Sequence, residues 1–227
     1  MARRVHAYVG LGSNAGKPAV TLARAVAALG ALPGARLRGV SRLYITAPVG
    51  VLDQPDFLNA VVALEVPAGP VLDAGALALL RQLKQLEVRF GRMPGRRWGP
   101  RVLDLDLLLF GRARILVDRP PDLAGQAMPP AGNASLDPAG GATEGRPTSG
   151  RDTAPPPEPR LLEVPHRDVA DRLFVLAPLS DLAPHLVPPG WHETVTTARR
   201  RRERLEGPAA ARVVAGWDHA TGTWSGP

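Results

Sequence analysis

The sequence predicts an α+β fold of the ferredoxin-like type, a β-α-β-β-α-β sandwich with helices on one face of an antiparallel sheet, plus a disordered Pro/Gly-rich insertion. Three observations lead to this prediction. Short alternating segments are typical of strands, two longer segments place apolar residues at helical spacing, and one long stretch is too poor in apolar residues to fold. Hydrophobic residues make up 44% of the 227 positions, so a core can form.

The strands are predicted from alternation and from the turn residues that bound them. Val5 to Leu11 forms the first strand, and Pro18 then opens a helix that runs to about Leu29. Further strands are predicted over Arg36 to Tyr44, Phe57 to Val66 and Val102 to Phe110.

A second helix is predicted over Pro70 to Phe90, and Gly91 ends it. Its apolar residues lie close to one face: Leu72, Leu79, Leu80, Leu83, Leu86 and Phe90. The segment from Thr46 to Asp56 is a predicted loop, because prolines and a glycine interrupt it.

The chain divides into three parts by composition. Residues 1–118 and 161–190 form the predicted folded domain. Residues 119–160 are rich in proline and glycine and contain no aromatic residue, so we expect a disordered insertion. Residues 191–227 form a basic C-terminal extension, with an Arg-rich helical piece and a Gly/Ala tail to which the sequence assigns no role.

The formal net charge is +7, and all but two of the cationic residues are arginines, which suit an anionic partner. Much of the excess lies in the C-terminal extension, so net charge alone says little about function. No cysteine is present, which excludes disulfides and thiolate metal sites. The sequence lacks an apolar run of the roughly 18 residues that a membrane span needs. We therefore expect a cytoplasmic monomer that acts on small molecules, without membrane or nucleic-acid partners.

The segment from Arg97 to Asp106 carries the strongest local signal for chemistry. On a strand, Asp104 and Asp106 share one face, while the leucines between them point to the other. Two carboxylates this close repel each other unless a cation lies between them, and Mg²⁺ favours one or two carboxylates together with phosphate oxygens. Five arginines lie near this strand: Arg89, Arg92, Arg96, Arg97 and Arg101. Carboxylates for metal beside arginines for phosphate predict an Mg-nucleotide site.

Two further groups are weaker candidates. Phe57 and Asn59 share one strand face, and an aromatic ring beside an amide suits a flat heterocycle. Taken alone, these two residues are better explained as a core phenylalanine and a loop-capping asparagine. His166 precedes Arg172 and Phe174, and a lone histidine is more often structural than catalytic. Gly12 begins a turn-like Gly-Ser-Asn cluster that lacks the spacing of the common nucleotide-binding loops.

Four segments, in this order, resemble the 6-hydroxymethyl-7,8-dihydropterin pyrophosphokinase family. They are Gly-Leu-Gly-Ser-Asn (10–14), Asp-Gln-Pro-Asp-Phe-Leu-Asn (53–59), Arg-Trp-Gly-Pro-Arg-Val-Leu-Asp-Leu-Asp-Leu-Leu-Leu-Phe-Gly (97–111) and Val-Pro-His (164–166). The third is highly specific, and the resemblance covers residues 4–118 and 161 to about 190. It implies the ferredoxin-like fold and an enzyme of folate biosynthesis that transfers diphosphate from ATP to 6-hydroxymethyl-7,8-dihydropterin, releasing AMP.

The resemblance also implies roles for individual residues. Asp104 and Asp106 would hold two Mg²⁺ ions, and Arg92 and Arg101 would act with them in catalysis. The residues expected around ATP, the co-substrate, are Glu87, Arg92, Trp98, Arg101, Leu107, His166 and Arg172. The residues expected around the pterin are Thr46, Val49, Phe57, Asn59 and Phe174. Ala47, Phe57 and Arg167 depart from residues frequent in the family, and Lys84 stands where some members use glutamine, so it is left unassigned.

Three alternatives remain at this stage. An RNA-binding module of similar topology would need aromatic-rich central strands, but aromatic residues are only 4% of this chain. A different Mg-dependent nucleotidyl or phosphodiester enzyme explains the aspartates but not Phe57 and Asn59. A non-catalytic family member is disfavoured because both aspartates, Arg101 and His166 are present.

Overall fold

The computed structural model describes residues 3–48, 53–92, 99–118 and 160–226. The predicted disordered insertion lies outside the described residues except for Arg160. Nine strands are described: β1 (Arg4–Ser13), β2 (Arg36–Val40), β3 (Leu43–Thr46), β4 (Phe57–Pro67), β5 (Asp104–Phe110), β6 (Ile115–Val117), β7 (Leu162–Val164), β8 (Arg212–Asp218) and β9 (Thr223–Ser225). The helices are α1 (Pro18–Gly30), α2 (Leu72–Arg89), α3 (Leu173–Leu182) and α4 (Val195–Glu206), with a short 3₁₀ turn at Val169–Asp171.

The main sheet has the strand order β5-β1-β4-β3-β8-β9, and β2 also pairs with β4. Every pairing described is antiparallel, including the separate pair of β6 and β7. The long strands β1 and β4 lie at the centre, with β5 on the outer side of β1. The arrangement of β1, α1, β2/β3, β4, α2 and β5 is the predicted β-α-β-β-α-β order.

Helices cover both faces of this sheet, whereas the sequence predicted helices on one face. One core lies between the sheet and helices α1 and α2, with Leu22, Leu64 and Leu83 fully buried. A second core lies on the opposite face, where Val61 and Leu108 pack with α3 and α4. Alternate residues of β4 belong to opposite cores, because Val62 faces the first and Val61 the second. The second layer comes from residues 169–206, whose packing direction the sequence pattern did not reveal.

Most predicted elements are present with boundaries shifted by a few residues. The exception is the segment from Arg36 to Tyr44, which forms two strands rather than one. Ser41 interrupts it, because its Oγ accepts a hydrogen bond from the Val61 backbone N–H at 2.8 Å while its own N–H donates to the Val61 carbonyl at 2.9 Å. A side-chain hydroxyl therefore takes a bond that a regular strand pair would make between backbones.

A bulge in β5 changes which side of the sheet its residues face. The register of β1 with β5 shifts between Tyr8 and Val9, so that Leu108 is the extra residue. Leu105 and Leu107 therefore face the first core, while Leu108 and Leu109 both face the second. The two aspartates that precede the bulge alternate with the leucines of the first core, as predicted.

The Gly/Ala tail is more ordered than the sequence pattern indicated. Strand β8 extends the sheet by pairing with β3, and β9 pairs with β8 in turn. Trp224 secures this hairpin, because its indole N–H donates to the Ser41 carbonyl at 2.9 Å. Within the described part of the chain, no helix is both long and apolar enough to cross a membrane.

Candidate active site

The carboxylates of Asp104 and Asp106 occupy the first half of β5 on the face opposite the first core. Leu103, Leu105 and Leu107 alternate with them and are at most 2% exposed, whereas both aspartates are partly exposed. Burial of the leucines thus fixes the direction of the carboxylates. The predicted sharing of one face by the two aspartates is present in the structure.

Two arginines hold the first of these carboxylates. Asp104 Oδ1 accepts hydrogen bonds from Arg101 Nη1 at 2.8 Å and from Arg92 Nη1 at 3.1 Å. Arg92 follows the C-terminal end of α2, and Arg101 precedes β5. The residues at the two ends of the connection between α2 and β5 therefore bind the same carboxylate, that of Asp104. Residues 93–98, including the predicted ATP-binding Trp98, lie outside the described residues.

Glu87 is the buried centre of a second set of contacts. Its Oε1 accepts from the Leu105 backbone N–H at 2.7 Å and from Lys84 Nζ at 2.8 Å, and its Oε2 accepts from Arg92. Burial raises the pKa of the Glu87 carboxyl, and the nearby charge of Lys84 opposes that shift. Glu87 thereby ties helix α2 to strand β5 and fixes Arg92 beside Asp104.

Cationic side chains also surround Asp106. Burial raises the pKa of its carboxyl, but nearby positive charge outweighs burial and leaves the pKa below its usual value. The side chains that lower it are, in order of effect, Lys84, His166, Arg172 and Arg101. Lys84, unassigned from the sequence, therefore belongs to this site, and its Nζ also donates to the Leu105 carbonyl at 2.9 Å.

Gly12 lies on β1 between the aspartate strand and the amide strand. It pairs with Asp104 on one side and with Asn59 on the other. A Cβ atom added at Gly12 would lie 3.3 Å from Asn59 Oδ1 and 3.9 Å from Asp104 Cβ. Gly10 has the equivalent place beside Asp106. The side chain of Leu108 covers the position above Gly10, whereas Gly12 leaves the sheet surface between Asp104 and Asn59 free of a side chain. The first family segment therefore forms a floor at Gly12 rather than a phosphate-binding loop.

Ser13 and Asn14 join the loops at the two sides of this floor, a role that sequence reasoning missed. Asn14 Nδ2 donates to Gln54 Oε1 and to the Pro55 carbonyl, both at 3.0 Å. Its Oδ1 accepts from the Arg101 N–H at 2.7 Å, and Ser13 Oγ donates to the Val102 carbonyl at 2.6 Å. Both side chains are buried, and their burial would have indicated this role. A polar cluster after a strand does not reveal burial in the sequence alone.

The predicted pterin residues on β3 and β4 form one patch beside this floor. Asn59 and Thr46 are buried, and Asn59 Nδ2 donates to Thr46 Oγ1 at 2.8 Å. Phe57 pairs with Thr46 in the strand register and lies on the same face of β4 as Asn59. This is the face of the second core and of the two aspartates. Val49 lies outside the described residues.

The segment after β7 approaches the aspartate strand from its outer side. The His166 N–H donates to the Leu108 carbonyl at 2.9 Å, which places this residue along β5. Arg172 Nη2 lies 2.9 Å from Asp168 Oδ2, and its guanidinium carbon is 5.6 Å from the centre of the Phe174 ring. Phe174 is the second residue of α3 and follows Leu173, which packs on Tyr44 of β3. The segment therefore runs from the edge of β5 at Leu108 to Tyr44 of β3, on the face that carries the second core.

Leu107 lies differently from the other predicted ATP residues. Its side chain is 2% exposed and packs in the first core, on the face opposite the aspartates. Only its main chain is available to a nucleotide on the aspartate face. The alternation that orients Asp106 also orients Leu107 inward.

The aspartate pair is chemically suited to Mg²⁺. Two carboxylates that point the same way match the one or two carboxylates that this ion prefers together with phosphate oxygens and water. No group of three or more His, Asp or Glu side chains able to hold a metal occurs among the described residues. A metal bound here would therefore draw its remaining ligands from a substrate or from water.

Fold and site together define a class: an α+β enzyme whose sheet presents a carboxylate pair and several cations beside an aromatic and amide patch. A family model described as 7,8-dihydro-6-hydroxymethylpterin-pyrophosphokinase matches residues 8–184. The chain belongs to this family.

Curated relatives agree with this membership. The chain is 38% identical over 186 residues to the 2-amino-4-hydroxy-6-hydroxymethyldihydropteridine pyrophosphokinase of Pseudomonas aeruginosa, and the match covers 82% of this chain and 85% of the relative. It is 36% identical over 192 residues to the protein of the same name from Methylorubrum extorquens, covering 85% of this chain and 90% of the relative.

Solved structures give the same fold at low sequence identity. Wild-type Plasmodium falciparum HPPK-DHPS with pteroate superposes with a TM-score of 0.64 at 13% identity, covering 100% of this chain and 48% of that one. The A437G form with SDX-DHP gives a TM-score of 0.62 at 14% identity, covering 100% and 51%. The chain spans about half the length of those solved chains, and the likeness supports the fold alone.

These matches confirm the predicted family and fold class. They also confirm the enzyme class and the activity, transfer of diphosphate from ATP to hydroxymethyldihydropterin in folate biosynthesis. The predicted roles of individual residues and the predicted number of metal ions stay predictions.

Proposed function

We propose that the aspartate face of β5 holds ATP as its magnesium complex and that this chain performs diphosphate transfer there. The observation that carries the proposal is the placement of Asp104 and Asp106 among Arg92, Arg101 and Lys84. Asp104 and Asp106 would hold two Mg²⁺ ions. Bound there, the metal supplies positive charge that neutralises phosphate oxygens.

The residues proposed around ATP surround this carboxylate pair. They are Glu87, Arg92, Trp98, Arg101, Leu107 through its main chain, His166 and Arg172. Arg92 and Arg101 already converge on Asp104, so a small rotation of either guanidinium brings its donors to a phosphate oxygen. Glu87 acts through Arg92 and Leu105 rather than on the substrate itself, which makes it a positioning residue in this proposal.

The pterin is proposed to lie over the floor formed by Gly12, against β3 and β4. The residues that line this position are Thr46, Val49, Phe57, Asn59 and Phe174. The bond from one Nδ2 N–H to Thr46 fixes the orientation of the Asn59 amide, whose Oδ1 is proposed as an acceptor for the pterin. Phe57 and Phe174 would stack on the two faces of the ring. Since Gly12 adjoins both Asn59 and Asp104, the pterin hydroxymethyl group and the ATP phosphates would meet above it.

The transfer follows from these positions. The hydroxymethyl oxygen of the pterin attacks the β-phosphorus of ATP, and a new oxygen–phosphorus bond forms. The bond between the β-phosphorus and the oxygen bridging to the α-phosphorus breaks, and AMP leaves with that oxygen. The hydroxyl proton passes to water or to the released products. Arg92 and Arg101 stabilise the charge that develops on the phosphoryl oxygens, so catalysis here is positioning and electrostatics.

One assay tests the proposed reaction. The protein is incubated with Mg-ATP and 6-hydroxymethyl-7,8-dihydropterin, and nucleotides and pterins are separated by chromatography. We expect AMP and pterin diphosphate in equal amounts, none of either with EDTA, and recovery on addition of excess Mg²⁺. ADP as the sole nucleotide product, or no turnover with Mg²⁺ present, would contradict the proposal. A monomeric state and a cytoplasmic location remain predictions from the sequence.

A further inference from the structure

The region after the family match contacts the segment between His166 and Arg172. The match ends at residue 184, and the described chain continues through α4 and the β8–β9 hairpin. Helix α4 packs on the second core through Val195 and Ala198, which are fully buried against Val169 of the 3₁₀ turn. That turn lies between His166 and Arg172, so α4 supports the segment that presents both side chains.

Arg201 makes the polar connection between α4 and this turn. Its Nη2 donates to the Ala170 carbonyl at 3.1 Å, and its Nη1 lies 3.7 Å from Asp171 Oδ1. Its Nε donates to Glu193 Oε1 at 3.1 Å, which fixes the guanidinium from the other side. One planar group therefore joins the 3₁₀ turn, helix α4 and the segment that precedes α4.

These bonds constrain the turn at both of its ends. Val169 N–H donates to the His166 carbonyl at 3.0 Å, so the start of the turn is tied to His166. Its end runs directly into Arg172, which is the residue before α3. The Ala170 carbonyl lies between them and is held by Arg201. The bond from Arg201 therefore restrains the backbone that connects His166 to Arg172.

We propose that Arg201 is a positioning residue for nucleotide binding, acting through the 3₁₀ turn on His166 and Arg172. The inference rests on the ATP-binding roles proposed for those two residues. It assigns helix α4, together with Glu193 before it, the function of a brace on the nucleotide side of the site. Arg201 itself does not touch the proposed position of ATP, so its effect is on the placement of other side chains.

Replacement of Arg201 separates this role from a general loss of stability. In Arg201→Met we expect the KM for ATP to rise about tenfold, while the KM for the pterin and kcat change less than about threefold. Arg201→Lys keeps the charge and one donor, and should give an intermediate KM for ATP. The matched control is Arg204→Met, at an exposed position three residues along the same helix, which should leave all three constants within about twofold of the wild type.

Parallel measurements on His166→Ala and Arg172→Met distinguish failure of the proposed ATP-binding roles from failure of the positioning role of Arg201. If neither raises the KM for ATP, the proposed roles of these residues are wrong. If both raise it while Arg201→Met leaves it at the wild-type value, the roles stand and the positioning inference is overturned. If Arg201→Met does not fold, Arg201→Lys decides, and a wild-type KM for ATP in that variant would overturn the inference. An equal rise of both KM values would also overturn it, because a brace on the nucleotide side alone predicts an unequal effect.

Discussion

Arg101 Nη1 lies 2.8 Å from Asp104 Oδ1, so a cation that suits phosphate is held by a carboxylate that suits metal. The pair keeps both groups in place while neither substrate is bound. Its partial exposure means that the attraction is screened, and a phosphate oxygen can compete for the arginine.

Arg101→Met should slow diphosphate transfer without unfolding the protein. The variant keeps the length of the side chain but removes the charge that we place against the transferred group. Loss of one such electrostatic contact typically costs about 10²-fold to 10³-fold in kcat. Steady-state AMP formation measures the effect, with Arg36→Met on the exposed surface of β2 as the control. A kcat near that of the control would show that Arg101 serves only to hold Asp104.

Gly12→Val should block the floor between the two halves of the site. The new Cβ would approach Asn59 Oδ1 at 3.3 Å, and its methyl groups would extend over the sheet. Displacement of the reacting groups by about 1 Å can cost about 10²-fold, so we expect kcat/KM for the pterin to fall by at least that factor. Gly216→Val is the matched control, because no atom lies within 4 Å of a Cβ at that strand position. Similar kcat/KM values in the two variants would contradict the proposal that the pterin lies over Gly12.

Glu87→Gln should weaken the fold as well as the site. The amide can still accept from Leu105, but the buried ion pairs with Lys84 and Arg92 are lost. Hydrogen bonds to charged groups contribute about 2 kcal/mol each, so we expect the free energy of unfolding to fall by about 2–4 kcal/mol. Urea unfolding measures it. Glu206→Gln removes a surface pair with Arg202 and should change stability by less than about 1 kcal/mol. Equal stability of the two variants would contradict this role for Glu87.

Tyr44 should make stability depend on pH in the alkaline range. Burial, followed by the charge of Asp181, raises the pKa of the Tyr44 hydroxyl to about 12. Its contribution is present below the unfolded pKa of about 10 and is lost as pH rises toward the folded value, because the unfolded chain ionises first. We expect wild-type protein to lose about 2 kcal/mol relative to Tyr44→Phe between about pH 10 and pH 12. Urea unfolding of both proteins across this pH range tests the prediction. A difference in unfolding free energy that does not change with pH would contradict the raised pKa of the Tyr44 hydroxyl.

The faces of the strands could be predicted from the sequence because burial alternates with period two. Leucines at 103, 105 and 107 require a core on one side, and so determine where Asp104 and Asp106 point. The same rule orients Phe57 and Asn59. For Leu107 the two kinds of prediction differ. The family resemblance implies a place near ATP, whereas the alternation of the strand directs the Leu107 side chain into the first core.

Other features depend on contacts between distant parts of the chain. The role of Gly12 appears only when β1 lies between β4 and β5, and that of Asn14 only when two loops meet at its side chain. Strand β8 is too weakly patterned to predict, because its place is set by pairing with β3 and by Trp224. The bracing of the 3₁₀ turn by Arg201 likewise involves residues thirty-one positions apart in sequence.

The rate of AMP formation by Asp106→Asn tests the central claim most directly. The amide keeps the shape of the carboxylate but removes the charge that would hold Mg²⁺ among the cations of this face. With saturating Mg-ATP and pterin, we expect a fall of at least about 10³-fold, while Asp73→Asn, at an exposed position in α2, retains wild-type turnover. An Asp106→Asn rate within about tenfold of the wild type would contradict the assignment of diphosphate transfer to the aspartate face of β5.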